Sequence, residues 1–96
     1  MTNKPTKAQA KQIRLQRQIK QVLTTFEPTR VFSAHDMASA MGEVWKRIPT
    51  HREVAHSLIR LGEQNIINRA RHYERQAIYG QTNMWSVNPA WLRREA

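Results

Sequence analysis

Cysteine is absent from the 96 residues. That excludes disulfides, thiolate nucleophiles and cysteine-based zinc sites, and it fits a reducing cytosol. Glycine occurs only at 42, 62 and 80, so no glycine-rich phosphate loop is available. Asp36 is the sole aspartate, which excludes a paired-aspartate catalytic centre. None of the serines at 33, 39, 57 and 86 sits in a G-x-S-x-G elbow. No apolar run approaches the ~20 residues needed to cross a bilayer. Nor does one accompany the basic residues Lys4, Lys7, Lys11 and Arg14, as a secretory signal requires. These absences lead us to expect a soluble, cytoplasmic protein that is not an enzyme. They predict no cofactor, no metal, no small-molecule ligand and no membrane partner.

Acid is also scarce. Sixteen Lys and Arg face seven Asp and Glu, a formal net charge of +9. The first 26 residues hold six basic residues and no acid. Such an excess sets up a positive field that attracts polyanions. Nucleic acid is the first candidate partner, which would make the protein nucleoid-associated, and an anionic membrane surface is the second.

The chain has the length of one domain. Residues 1–6 read as a flexible basic N-terminus, 7–88 as the folded domain and 89–96 as a tail. Thr6 and Gln9 form a capping-box pattern that opens a helix over 7–26. Its apolar stripe is Leu15, Ile19, Val22, Leu23 and Phe26, with Ile13 off the stripe, and Pro28 is its stop. Arg30-Val31-Phe32 reads as a short strand. Ser33 as N-cap, with Asp36 three residues on, opens a helix over 34–41 that turns inward Met37, Ala38 and Met41 and ends at Gly42. Val44, Trp45 and Ile48 would tuck apolar surface under the following link.

The strongest local signal is Pro49-Thr50-His51-Arg52-Glu53, an N-cap threonine with glutamate at the third helical position. The helix it opens runs to Gln64. Val54, Leu58 and Leu61 make its core face, flanked by Ala55 and Ile59. Arg52, His56 and Arg60 lie opposite at i, i+4 and i+8. Ile66–His72 and Met84–Asn88 read as two strands joined by a loop over Tyr73–Asn83. Arg69 and Arg71 fall on one strand face. Pro89 ends the second strand, and Trp91 with Leu92 offers an anchor or a dimer contact.

Two patterns imitate metal chemistry. His51-Arg52-Glu53-Val54-Ala55-His56 spaces its histidines five apart, whereas HExxH needs i and i+4 on one helix face. His51-x-Glu53 echoes the zinc deaminases, which also need a P-C-x-x-C partner that a cysteine-free chain lacks. The capping role explains Glu53.

The order helix, strand, helix, helix, strand, loop, strand resembles the winged helix-turn-helix domains of bacterial and phage transcriptional regulators. The resemblance covers about residues 10–88 and is most specific in THREVAHSLIRLGEQNIINR, from Thr50 to Arg69. There the N-capped helix, Leu58 and Leu61, and the apolar pair Ile66 and Ile67 follow one another as a recognition helix entering a wing. Phe32-Ser33-Ala34-His35-Asp36-Met37-Ala38 looks like the family's strand-to-helix entry. Many members have glycine before the apolar pair. Here it is Asn65, which tolerates positive φ. The resemblance implies an α+β, mainly α fold of three helices plus a short β-hairpin wing.

It also implies a sequence-specific regulator of double-stranded DNA. The helix from His51 would enter the major groove, with Arg52 and His56 at base edges and Arg60 beyond them. Lys46, Arg47 and Thr50 would contact phosphates at the helix start. Arg69, Arg71 and Arg75 of the wing would lie along the backbone or the minor groove. A homodimer is expected, through the first helix with Ile13 or through the tail around Trp91. The alternative is a winged-helix protein-interaction module of a phage or plasmid assembly, meeting an acidic protein surface. RNA fits less well, because no exposed aromatic pair presents itself for base stacking.

Overall fold

A computed structural model of the chain describes residues 6–45, 49–70, 76–77, 80–81 and 83–95. Among the described residues, four helices, a three-stranded antiparallel sheet and a two-stranded pair make a mainly helical α+β fold. In chain order they are α1 (Lys7–Leu23), β1 (Val31–Phe32), α2 (Ala34–Val44), α3 (His51–Glu63), β2 (Ile67–Arg69), β3 (Gln76–Ala77), β4 (Gly80–Gln81), β5 (Trp85–Val87) and α4 (Pro89–Glu95).

Three capping boxes set the starts of α1, α2 and α3. The Thr6, Ser33 and Thr50 hydroxyls accept from the backbone N–H of Gln9, Asp36 and Glu53 at 3.2, 3.2 and 3.3 Å. Gln9, Asp36 and Glu53 in turn accept from the N–H of the capping residue. Each box satisfies two of the donors that a helix start leaves orphaned.

Helix ends differ from expectation. α1 stops at Leu23, before Phe26 and well before Pro28. The Thr24 and Thr25 hydroxyls donate to the carbonyls of Gln21 and Val22, both at 2.6 Å, and close the last turn on itself. α2 runs through Gly42 to Val44 and is capped at Trp45, so Gly42 is an interior residue and not the terminator. Val44 is 64% exposed and does not tuck under the link, whereas Trp45 packs on the core. Ile48 lies outside the described residues.

β5 is the central strand of the three-stranded sheet, in the order β1-β5-β2. Phe32 and Arg69 both stand opposite Trp85, and Ile67 stands opposite Val87. Alternation places Phe32, Trp85, Ile67 and Val87 on one face, all buried, with Arg69 at its rim. Val31, Ser86 and Asn68 share the other face, where none of the three is buried. The strands are shorter than the 66–72 and 84–88 spans expected. The stretch expected to be loop over 73–83 contains a second antiparallel pair, Gln76 opposite Gln81 and Ala77 opposite Gly80.

One core joins these layers. α1 contributes Leu15, Ile19, Val22 and Leu23, and the turn after it contributes Phe26. α2 contributes Met37 and Met41, and α3 contributes Val54, Leu58 and Leu61. Phe26 and Phe32 meet edge to face, with centroids 5.2 Å apart and planes at 71°. The tail is also structured. The Asn88 carboxamide oxygen accepts from Ala90 N–H at 3.0 Å, and Pro89 starts the helix where its missing N–H costs nothing. Trp91 of α4 is buried and Leu92 packs against the core. Trp91 is thus an intramolecular anchor rather than a free dimer contact.

Asn65 adopts φ 60°, the left-handed turn its residue type suits. Asn88 Nδ2 donates to the Asn65 carbonyl at 2.7 Å and ties this turn to the end of β5. Gly62 has a different reason to be glycine. A Cβ there would stand 2.8 Å from Cζ3 of Trp85. Trp85 is buried and held between two strands, so it has little room to yield. Alanine gains about 1 kcal/mol in a helix interior, and overpacking of this kind costs about 1–3 kcal/mol. Gly62→Ala is therefore expected to lower the unfolding free energy by about 1 kcal/mol, read from a urea titration.

Ser57 also departs from the expected wheel. At 100° per residue it lies about 70° from the mean direction of Val54, Leu58 and Leu61, whereas Ile59 lies about 130° away. Ser57 is accordingly fully buried, and Ile59, expected to flank the core, is 43% exposed. Among the described residues the Ser57 hydroxyl has no hydrogen-bond partner. Replacing an orphaned buried hydroxyl with a group of similar shape removes its desolvation cost. Ser57→Ala is expected to raise stability by about 1 kcal/mol in thermal or urea unfolding.

Candidate nucleic-acid interface

α3 is amphipathic in the sense the sequence implies. Val54, Ser57, Leu58 and Leu61 are buried, and His51, Arg52, His56, Ile59, Arg60 and Glu63 are exposed. Arg52, His56 and Arg60 therefore point to solvent. Among the described residues no carboxylate stands within 4.0 Å of any of them. The ion pair found there joins Lys11 and Glu53 at 2.8 Å.

That pair organises the start of α3. One Glu53 carboxylate oxygen accepts from Lys11 Nζ and the other from Thr50 N–H, at 2.8 and 3.3 Å. Glu53 thus completes the cap and fastens the N-terminal half of α1 to α3. The Lys11 ammonium holds the Glu53 carboxyl below its ordinary range. Desolvation opposes this, and the Thr50 N–H and hydroxyl assist it. The pair is exposed, so its contribution to stability is small. Its consequence for the surface is electrostatic: Lys11 is neutralised locally, whereas the α3 stripe keeps its charge.

The predicted site residues distribute as follows. His51, Arg52, His56 and Arg60 come together on α3, with Thr50 exposed at its cap. The Thr50 hydroxyl is engaged by the cap: its oxygen accepts from Glu53 N–H, and the hydroxyl also favours the charged Glu53 carboxylate. Arg69 is exposed on β2, with its guanidinium donating to the Asn83 carboxamide oxygen. Lys46, Arg47, Arg71 and Arg75 lie outside the described residues.

Sequence reasoning missed His35. It is exposed at the start of α2, and its ring centroid lies 6.4 Å from that of His51. The two starts of α2 and α3 therefore open on a common patch. No sequence signal links positions 35 and 51, because the contact depends on how α2 packs against α3.

Other surfaces carry different chemistry. An open groove between α1 and α2 is lined by Phe26, Arg30, Asp36, Glu43, Val44 and Trp45, among others. Its carboxylates make it a poor seat for a polyanion. Among the described residues no group of three or more His, Asp or Glu could hold a metal ion, and no helix is long and apolar enough to cross a membrane. Comparison with protein-family models, curated proteins and solved structures finds no match to this chain.

Proposed function

We propose that the chain is a winged helix-turn-helix protein that binds double-stranded DNA, with α3 as the recognition helix and β2, β5 and the segment between them as the wing. The observation that carries this is the state of the α3 stripe. Arg52, His56 and Arg60 are exposed, and no carboxylate among the described residues pairs with them, on a helix whose opposite face is fixed in the core. The element order and the β1-β5-β2 sheet are compatible with the proposed fold.

The N-terminal half of α3 enters the major groove, and Arg52 grips a guanine through its two acceptors. His56 meets a base edge one helical turn on, and Arg60 meets the backbone. His35, His51 and Thr50 stand where the phosphates flanking the groove would pass. Arg69 reaches the backbone from the wing. Two copies would read two half-sites. Of the two contacts the sequence offers for pairing, Ile13, 50% exposed on α1, is the one still available, since Trp91 is committed to the core.

A second reading, a protein-interaction module, is favoured by Val44 exposed beside half-buried Trp45 in the α1–α2 groove. Selection from a random-sequence duplex pool at low salt separates the two. A regulator enriches a recurrent sequence motif. An interaction module retains no duplex, and that result would remove the DNA-binding role.

A further inference from the structure

We infer that Ile59 reads the C5-methyl group of a thymine, so that one thymine in the bound duplex sets affinity at a defined position. The inference rests on the DNA-binding reading and adds the base that the outer face of α3 prefers beyond the reach of Arg52 and His56.

Arg52, His56, Ile59 and Glu63 recur at i, i+4, i+7 and i+11 and share one face of α3. All four are exposed. Ile59 contributes nothing to the core and sits at 43% exposure between charged neighbours. Helix formation does not call for it either, since a β-branched residue is a weaker helix former than leucine, lysine or glutamate. A lone exposed isoleucine is ordinary on a protein surface. What distinguishes this one is that it shares a face with Arg52, His56 and Glu63, about 50° from the centre of the side directed away from the core and one turn beyond the groove-reading cations.

Spacing makes the contact feasible. Ile59 lies three residues past His56, about 4.5 Å along the helix axis, and successive base pairs are about 3.4 Å apart. The next step on the face thus falls one to two base pairs beyond the one His56 meets. The major groove presents one apolar feature to such a side chain, the thymine methyl. Glu63, one turn further, carries a negative charge toward the duplex and marks where the groove-facing segment ends.

The test uses the duplex enriched from the random pool by the full chain. Each thymine is replaced in turn by deoxyuridine, which removes only the methyl. Affinity is read by fluorescence anisotropy for the wild type and for Ile59→Ala. Alanine at an exposed helical position keeps the fold, which circular dichroism checks. At one thymine, loss of the methyl is expected to weaken wild-type binding about fourfold, the worth of one buried methyl group. Ile59→Ala is expected to lose that discrimination while keeping its salt dependence, because no phosphate contact has changed. Absence of any sensitive thymine, or equal sensitivity in Ile59→Ala, would overturn the inference and leave DNA binding intact. A pool from which no duplex is retained overturns the DNA-binding reading and the inference together.

Discussion

Raising the salt concentration from 50 to 200 mM is expected to weaken the DNA complex by about 10³–10⁵-fold, for six to ten phosphate contacts. The cause is counterion release. Each cation that neutralises a phosphate sets free a condensed counterion, and the gain shrinks as bulk salt rises. The chain has the charge for this, sixteen Lys and Arg against seven acids. Its cations on α3 are not spent internally on described carboxylates, since the ion pair found uses Lys11 and Glu53. A plot of log Kd against log salt gives the number of phosphates engaged. Arg60→Ala should reduce the slope by about one phosphate. A shallow slope would mean that the positive charge serves solubility rather than contact.

Phe32→Ala is expected to cost about 3–5 kcal/mol of unfolding free energy. Phe32 is fully buried and stacks edge to face on Phe26. It also holds β1, only two residues long, against β5 opposite Trp85. The next residue, Ser33, caps α2. Removing the ring therefore opens a cavity and loosens the strand that sets the entry of α2. A domain of this size has about 5–15 kcal/mol in total, so the variant is expected to be partly unfolded near body temperature. The measurement is the urea midpoint, with the slope unchanged if both end states are preserved. A loss below about 1 kcal/mol would contradict the placement of Phe32 at the centre of the core.

The sequence disclosed helix starts better than helix ends. A capping box is local: Thr6 with Gln9, Ser33 with Asp36 and Thr50 with Glu53 are readable three residues apart, and each forms in the structure. Ends depend on weaker competitions. Pro28 was the visible stop for α1, yet the hydroxyls of Thr24 and Thr25 end it earlier. Gly42 looked like a terminator, and α2 passes through it. The helix after Asn88-Pro89 carries a good N-cap and a proline at its first position, and its seven residues are too few to show a period.

The site divides along the same line. The α3 stripe was legible because period and burial agree at Val54, Leu58 and Leu61. Placement of Asn65 in the left-handed region was legible from its residue type. The Lys11–Glu53 pair joins residues 42 positions apart, and the nearness of His35 to His51 depends on helix packing. Neither leaves a mark in the local pattern. Ile59 was legible only as an apolar residue near the edge of the stripe, and its exposure had to be seen.

The central claim is that α3 presents its free cations to a duplex. The most direct measurement is a labelled-duplex titration comparing the wild type with Arg52→Ala/His56→Ala at fixed low salt. Both side chains are exposed, so the double variant should keep its unfolding midpoint. Each lost base contact is worth about 1–3 kcal/mol, so its affinity for the enriched duplex should fall at least about tenfold. Unchanged affinity in a fully folded double variant would contradict α3 as the element that meets DNA.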